Sequence, residues 1–146
     1  MKKRVQMVTT RLVRESSILY EPRVLNSPEK AVELIRTFIE DSDREMMVVI
    51  NLDVKNQPNE MYVAAIGSLS ACIVHPREIF KAAILANSGS ILVAHNHPSG
   101  NPKPSQEDNS ITKRLKEAGE LIGITLLDHI IIGKDGYYSF KENSQL

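Results

Sequence analysis

One short segment constrains the fold of this chain more than any other part: the apolar run Ser90 to Ala94, which leads directly into His95-Asn96-His97. A short continuous apolar run predicts a strand buried in a sheet. Because residues i and i+2 of a strand point to the same side, both imidazoles should leave the end of that strand in one direction. The segment therefore predicts a sheet with two histidine side chains at the end of an interior strand.

The stretch after the histidines favours a metal site at that point. Residues 98–104 contain three prolines and a glycine, a composition that predicts a loop. Such a loop can fold back and bring Asp108 to the two histidines. Paired imidazoles with a nearby carboxylate suit a borderline cation such as zinc, which takes three protein ligands and leaves a fourth position for water. The alternative is that His95 and His97 are simply polar residues in a loop.

The composition bounds the class of protein. A chain of 146 residues is expected to form one domain with a real core, and 18 basic and 18 acidic residues give zero net charge. A DNA-binding surface usually shows as a basic surplus, so the composition disfavours nucleic acid as a partner. The single cysteine, Cys72, excludes a disulfide framework and a thiolate metal cluster, and we expect it to be a small core residue.

Membrane and export signals are not expected either. The chain carries no run of eighteen apolar residues, and no apolar region follows the basic start Met1 to Arg4. We therefore expect neither a membrane span nor a signal peptide. A cytoplasmic protein is the default expectation.

Apolar residues at helical spacing predict three helices. The first is expected from Pro28 to Ile39, because Ser27 is a good N-cap and proline favours the first helical position. The second should begin at Pro76 and end before residues 87–89, and the third should follow the loop. Their predicted apolar faces are Ile79, Phe80, Ala83 and Ile84 in the second helix, and Ile111, Leu115, Ala118 and Ile122 in the third.

Apolar runs and alternating patterns predict the strands. They are expected over residues 4–13, 46–52, 61–66, 69–74, 91–94, 124–132 and 137–140, with a hairpin between 46–52 and 61–66. The fold class is then α/β, with a mixed, largely antiparallel sheet flanked by about three helices. We assign residues 1–26 to an N-terminal strand or extension and residues 27–146 to the domain.

The motif at the two histidines continues with seven residues, Ser105, two residues and Asp108. This pattern resembles the signature of the JAMM metalloproteases, also called JAB or MPN-plus domains. The surrounding residues are more narrowly similar to the RadC family of that fold, and the resemblance covers roughly Ser27 to Phe140. The stretches that carry it are Ala94 to Gly100, Pro104 to Asp108, Val74 to Glu78 and Leu127 to Gly133. It implies a single JAB/MPN-like domain with cytidine-deaminase-like layering.

The resemblance also implies the roles of individual residues. His95, His97 and Asp108 would hold one Zn²⁺ per chain, and Ser105 would help to stabilise the oxyanion that develops during the reaction. In JAMM proteins the catalytic glutamate opens a strand, and Glu45 matches that place, directly ahead of an apolar run. Three further acids precede it in the same segment: Glu40, Asp41 and Asp43.

Structural explanations stay open for several of these residues. Ser-x-x-Asp at a helix start also predicts a capping box at Ser105 and Asp108, worth about 1 kcal/mol to the helix. Glu45 at a strand edge could simply be solvated. Asp128 and His129 are either a solvent-facing pair on a strand or a pair beside the metal, in which the carboxylate orients a ligand histidine.

The reaction implied by the resemblance is hydrolysis of a peptide or isopeptide bond by a metal-activated water, without a covalent acyl-enzyme. Glu45 would take the proton of that water and deliver it to the leaving amine. The partner would be a peptide or protein substrate of unspecified identity. Zinc-dependent hydrolysis of this type is the function that the sequence favours.

Two other functions are weighed against it. RadC proteins carry a DNA-repair label, which suggests an accessory module for repair or recombination. Many of them have an N-terminal helix-hairpin-helix region, whereas only about twenty-five residues precede Ser27 here, and with the zero net charge this disfavours DNA. The other alternative is a metal-binding interaction module without turnover, which would have no need of Glu45 and Ser105.

Overall fold

The structure is a computed structural model that describes residues 1–21, 23–39, 41–67 and 74–146. In that part of the chain it contains three helices and five strands. In chain order these are α1 (Pro28–Ile39), β1 (Met46–Leu52), β2 (Pro58–Ile66), α2 (Pro76–Leu85), β3 (Ser90–Asn96), α3 (Gln106–Ile122), β4 (Thr125–Ile132) and β5 (Tyr137–Ser139). None of these helices is both long enough and apolar enough to span a bilayer.

The five strands form one sheet in the order β2-β1-β3-β4-β5. β1 pairs antiparallel with β2 and with β3, and β4 pairs antiparallel with β5. Only the β3–β4 pair is parallel, among the described strands, and α3 supplies the crossover that such a pair requires. The predicted α/β fold with a mixed, largely antiparallel sheet is therefore confirmed.

Both faces of the central strands are buried, which explains why β1 and β3 are continuous apolar runs rather than alternating ones. On one face, Val48 and Ile50 of β1 belong to a core cluster with α1. On the other face, Met47 and Val49 belong to a second cluster with α2 and α3. His95 pairs with Met47 across the β1–β3 ladder, so the histidine strand ends beside the start of β1.

The inward faces of α2 and α3 differ from the predicted ones. In α2, Ile79, Phe80 and Ala83 are buried as expected, but Ile84 is 54 % exposed. In α3, Leu115 is buried whereas Ile122 is 43 % exposed, so the predictions for Ile84 and Ile122 are wrong. The side of α3 that faces the sheet carries Asp108, Thr112, Leu115 and Gly119, which mixes polar and small residues with one large apolar residue. Apolar residues at helical spacing therefore do not predict this buried face.

Gly119 lies where α3 closely approaches the rest of the domain. A Cβ atom at this position would lie 2.5 Å from the carbonyl oxygen of Ile124 and 3.2 Å from Cζ of Phe80. Only a residue without a side chain lets the end of α3 pack this closely against α2 and the start of β4. The placement of α3, and with it the residues at its N-terminus, depends on this contact.

The N-terminal segment does not form the predicted strand. Residues 4–13 have no regular secondary structure, and Val5 and Met7 are 89 % and 96 % exposed. An alternating pattern makes a strand only where a neighbouring strand accepts its hydrogen bonds. The expected strand over 69–74 and the expected core position of Cys72 fall mainly on residues 68–73, which lie outside the described part, as does Glu40.

Candidate metal centre

The two histidines of the motif meet at the end of β3, on the side of the sheet that faces α3. His95 is fully buried, and its Nε2 atom lies 3.1 Å from Nε2 of His97. The backbone N–H of His97 donates to the carbonyl oxygen of Ile132, which holds the first residue after β3 against β4. The structure therefore brings the two imidazoles to one point, as the strand spacing predicted.

The N-terminus of α3 delivers a carboxylate to the same point. Asp108 is 1 % exposed, with Oδ1 3.1 Å from Nε2 of His95 and Oδ2 3.3 Å from Nε2 of His97. The predicted capping box is also present, because the Ser105 hydroxyl accepts from the Asp108 N–H and Asp108 Oδ2 accepts from the Ser105 N–H. The cap and the site use the same residues, so the helix end fixes where the carboxylate lies.

These donor atoms fit a divalent cation. Zinc lies about 2.0–2.1 Å from imidazole nitrogen and carboxylate oxygen, so two ligands of a tetrahedral site are about 3.3 Å apart. The distances from Nε2 of His95 to Nε2 of His97 and to Oδ1 of Asp108, both 3.1 Å, are close to that spacing, and Oδ2 of Asp108 lies 3.3 Å from Nε2 of His97. With Glu45, the four residues place ligand atoms within 4.8 Å of one another. The group can therefore hold a metal ion.

Glu45 lies at the edge of this group rather than inside it. Its Oε1 atom is 3.8 Å from Nε2 of His95, and the side chain is 19 % exposed. Glu45 is the residue directly before β1, and its carbonyl oxygen accepts from the N–H of Gly67 after β2. The β1–β3 register accounts for its position, because it brings a residue about fifty positions upstream to the end of the histidine strand.

Asn96, between the two histidines, hydrogen-bonds to the backbone on both sides of Glu45. Its Oδ1 atom accepts from the backbone N–H of Met46 at 2.7 Å, and its Nδ2 donates to the carbonyl oxygen of Arg44 at 2.9 Å. These backbone groups flank Glu45 on both sides. Asn96 was not among the functional residues predicted from the sequence, although an amide on the strand that carries the two histidines is a usable signal.

Asp128 and His129 are buried, at 3 % and 0 % exposure, so the solvent-facing interpretation is wrong. The two side chains have separate partners. The Asp128 carboxylate accepts from the Ser139 hydroxyl at 2.6 Å and from the backbone N–H of Lys141 at 3.0 Å, which ties β4 to the end of β5. It is His129 that reaches the site, with Nε2 2.8 Å from Nδ1 of His95.

The surroundings shift the acid–base behaviour of the site. The hydrogen bond to Asp108 raises the pKa of His97, and this outweighs the opposing effect of burial. Burial alone would raise the pKa of Asp108, but hydrogen bonds from His95 and His97 hold it well below its usual range. Burial lowers the pKa of His129. A buried carboxylate within 3.3 Å of two imidazole nitrogens is an arrangement that favours a bound cation.

The loop after β3 orients His97. Its Nδ1 atom lies 2.8 Å from the carbonyl oxygen of Asn101, which can only accept, so Nδ1 carries the proton and Nε2 offers its lone pair. Gly100 makes the turn possible, because its φ of +87° lies in the left-handed region that favours glycine. Its N–H donates to the carbonyl oxygen of His97. The loop thus presents His97 in the tautomer that a metal ligand needs.

Comparison with known proteins agrees with this geometry. A family model described as a RadC-like JAB domain matches residues 25–145. A UPF0758 protein of Rubrobacter xylanophilus is 44 % identical over 144 residues, which is 97 % of this chain and 63 % of the relative. A UPF0758 protein of Methanosarcina mazei is 45 % identical over 130 residues, 88 % of this chain and 57 % of the relative.

A third relative, a UPF0758 protein of Listeria innocua, is 46 % identical over 138 residues, 93 % of this chain and 62 % of its own length. The chain thus spans about 57–63 % of the length of these curated relatives. The match to the family model covers most of the chain, including every residue of the candidate metal centre. On these grounds the chain belongs to the family of RadC-like JAB domains.

Proposed function

We propose that this domain is a zinc-dependent hydrolase of the JAMM type that cleaves a peptide or isopeptide bond. The observation that supports it most is the arrangement of four side chains. The imidazoles of His95 and His97 and the carboxylate of Asp108 place donor atoms 3.1–3.3 Å apart, and the fourth side chain, Glu45, has Oε1 3.8 Å from Nε2 of His95. Three ligands and an adjacent carboxylate are the parts that metal-assisted hydrolysis requires.

Each side chain then has a defined task. His95, His97 and Asp108 hold the cation, which when bound acts as a Lewis acid and lowers the pKa of a water ligand to about 7. Glu45 accepts a proton at its carboxylate and returns it to the leaving amine. Ser105 uses an oxygen lone pair for the helix cap, which leaves its hydroxyl proton available to donate to a developing oxyanion.

Metal analysis tests the ligand set. Protein purified without added metal should contain one equivalent of zinc by emission spectroscopy, and His97→Ala should lose it. The matched control is His75→Ala, because His75 caps α2 without a side-chain hydrogen bond and belongs to no candidate metal cluster in the described part of the chain. If His97→Ala keeps its zinc, or if His75→Ala loses it, the proposed ligand set is wrong.

Turnover is tested separately with an unbiased peptide library. Cleavage by the zinc-loaded wild type, lost after chelation and restored by zinc, supports the hydrolase. A protein that binds stoichiometric zinc but cleaves no peptide or isopeptide bond would instead fit a metal-binding interaction module. These two outcomes separate the metal site from the reaction.

A further inference from the structure

We infer that Thr112 and His129 act as positioning residues that fix the tautomer of His95, through a chain of hydrogen bonds that begins at the backbone carbonyl of Asp108. The inference rests on the proposed metal site, because it concerns which nitrogen of His95 is offered to the cation. Sequence reasoning did not single out Thr112.

The first step is the direction of the Thr112 hydroxyl. Its Oγ1 atom lies 2.6 Å from the carbonyl oxygen of Asp108 and 2.6 Å from Nδ1 of His129. A carbonyl oxygen only accepts, so the single hydroxyl proton points at Asp108. The opposite direction would set two acceptor oxygens against each other at 2.6 Å. The hydroxyl oxygen therefore accepts from His129, and Nδ1 of His129 carries a proton.

The second step passes this choice to His95. The two ring nitrogens of the fully buried His129 face Thr112 Oγ1 and, at 2.8 Å, Nδ1 of His95. Since Nδ1 of His129 donates to Thr112, Nε2 is the position at which this ring accepts, and its donor is the N–H at Nδ1 of His95. His95 then has its lone pair on Nε2, the atom that lies 3.1 Å from both Asp108 Oδ1 and His97 Nε2.

The hydrogen-bond chain from Asp108 through Thr112 and His129 to His95, here called the relay, is held in place at His129. The ring of Phe140 stacks on His129, with centroids 4.9 Å apart and an interplanar angle of 11°. The chain starts on the backbone of one proposed ligand, Asp108, and ends on the ring of another, His95. An imidazole left without such a partner carries its proton on either nitrogen. The relay thus links the tautomer of His95, on β3, to the position of α3.

The direct test is the protonation pattern of His129 in the zinc-loaded wild type, read from ¹⁵N chemical shifts of the imidazole ring. We expect a neutral ring with the proton on Nδ1 and a bare, hydrogen-bonded Nε2. A proton on Nε2, or a doubly protonated ring, would overturn the inference. This measurement needs no variant and does not depend on turnover.

The second test is zinc affinity, measured by competition with a chromophoric chelator. Loss of a group that orients a ligand histidine typically weakens metal affinity about 10–100-fold, so Thr112→Val should show a loss in that range, whereas Thr112→Ser should keep near wild-type affinity. The matched control is Thr37→Val, because the Thr37 hydroxyl makes the same kind of helical hydrogen bond, to the carbonyl oxygen of Leu34. Its affinity for zinc should not change.

The outcomes also separate this inference from the proposed function. If the wild type binds no zinc, the metal site itself fails. If the wild type binds zinc and a folded Thr112→Val, by circular dichroism, binds it equally well, only the relay fails. Should Thr112→Val not fold, the comparison of Thr112→Ser with the wild type and the ¹⁵N measurement decide in its place.

Discussion

Some residues of the candidate metal centre are proposed ligands, and others hold those residues in position. His97 is oriented directly by the carbonyl oxygen of Asn101, and Asn96 fastens the backbone on both sides of Glu45. The support of the ligands comes from the backbone as well as from side chains. A backbone acceptor has a fixed direction, so the nitrogen that His97 would offer to a metal follows from the hydrogen bond on the other side of its ring.

Glu45→Gln should separate catalysis from metal binding. The amide keeps the shape of the side chain but cannot accept a proton, so zinc content should stay at one equivalent while turnover falls by about 10²–10⁴-fold. Asp43→Asn is the matched control, because Asp43 is an exposed acid in the same segment. Both are to be measured for zinc and for hydrolysis in the same preparation. Full activity of Glu45→Gln with bound zinc would remove Glu45 from the mechanism.

The pH dependence of zinc affinity should follow His97. The metal needs the neutral imidazole, and the hydrogen bond to Asp108 raises the pKa of His97, so protons begin to compete at a higher pH than for an ordinary histidine. Below that raised pKa the apparent affinity should fall about tenfold per pH unit, and above it the affinity should level off. Chelator competition from about pH 5 to about pH 8 measures this. An affinity independent of pH across that range would contradict the assignment.

In the metal-free protein, the raised pKa of His97 makes stability fall with rising pH, whereas zinc affinity rises. A folded pKa of His97 above its ordinary value adds stability that is fully present below the ordinary pKa and is lost as the pH rises through the raised pKa. Chelated protein should therefore lose thermal stability over the range in which zinc affinity improves. Thermal unfolding with and without a chelator compares the two.

At the scale of elements, α3 is the part that links the packing of the domain to its centre. It begins with the capping box at Ser105 and Asp108, carries Thr112 on its buried face and ends in close contact with β4 at Gly119. A displacement at the end of the helix moves the residues at its start. The stability of the domain and the geometry of the centre are thus coupled through one helix.

Gly119→Ala should lower both stability and zinc affinity. In an exposed helix this change would stabilise by about 1 kcal/mol, but here the added Cβ would lie 2.5 Å from the carbonyl oxygen of Ile124. Overpacking of this kind typically costs about 1–3 kcal/mol. The control is Gly136→Ala, since a Cβ atom there meets nothing within 4 Å. Thermal unfolding of both variants gives the sign, and a more stable Gly119→Ala would contradict it.

Helix α3 also shows how far the sequence could be interpreted. The N-cap at Ser105 and the loop ahead of it predicted where the helix begins, and the structure has the helix begin there. Its buried face did not follow from apolar spacing, because Asp108, Thr112 and Gly119 face the sheet for reasons of hydrogen bonding and close approach. The strands of the two-sided core were predictable from continuous apolar runs. The segment over residues 4–13 was not, because its pattern alone does not say whether a partner strand exists.

The site divides in the same way. The motif spacing gave His95, His97 and Asp108, which the structure brings together. Glu45 needed the family resemblance, because its position depends on the β1–β3 register and not on any local pattern. The supporting roles of Asn96 and Thr112 are visible only in three dimensions, since each acts on groups that the fold brings close.

The net charge of the chain bears on the choice of partner. The chain has zero formal net charge, with 18 basic and 18 acidic residues. A protein that neutralises many phosphates binds DNA tightly and loses affinity steeply with salt, and a neutral chain lacks the surplus that this needs. A peptide or protein substrate is therefore the partner that we propose.

DNA binding by this chain should be weak and insensitive to sequence. Gel-shift titrations at physiological salt, with duplex and branched DNA, should give dissociation constants no tighter than the range for non-specific binding, about 10⁻⁴–10⁻⁶ M. A basic DNA-binding domain of similar size serves as the positive control. Submicromolar affinity for any of these DNAs would favour the repair-associated alternative over the hydrolase.

The division of the centre along the chain has an evolutionary consequence. His95, His97, Asp108, Thr112 and His129 all lie on the single β3–α3–β4 crossover, whereas Glu45 is contributed from outside it by the start of β1. Selection can therefore act on the two parts independently. In the proposed mechanism, one substitution at position 45 would silence the reaction in a descendant and leave the crossover, with the residues that would hold the metal, intact.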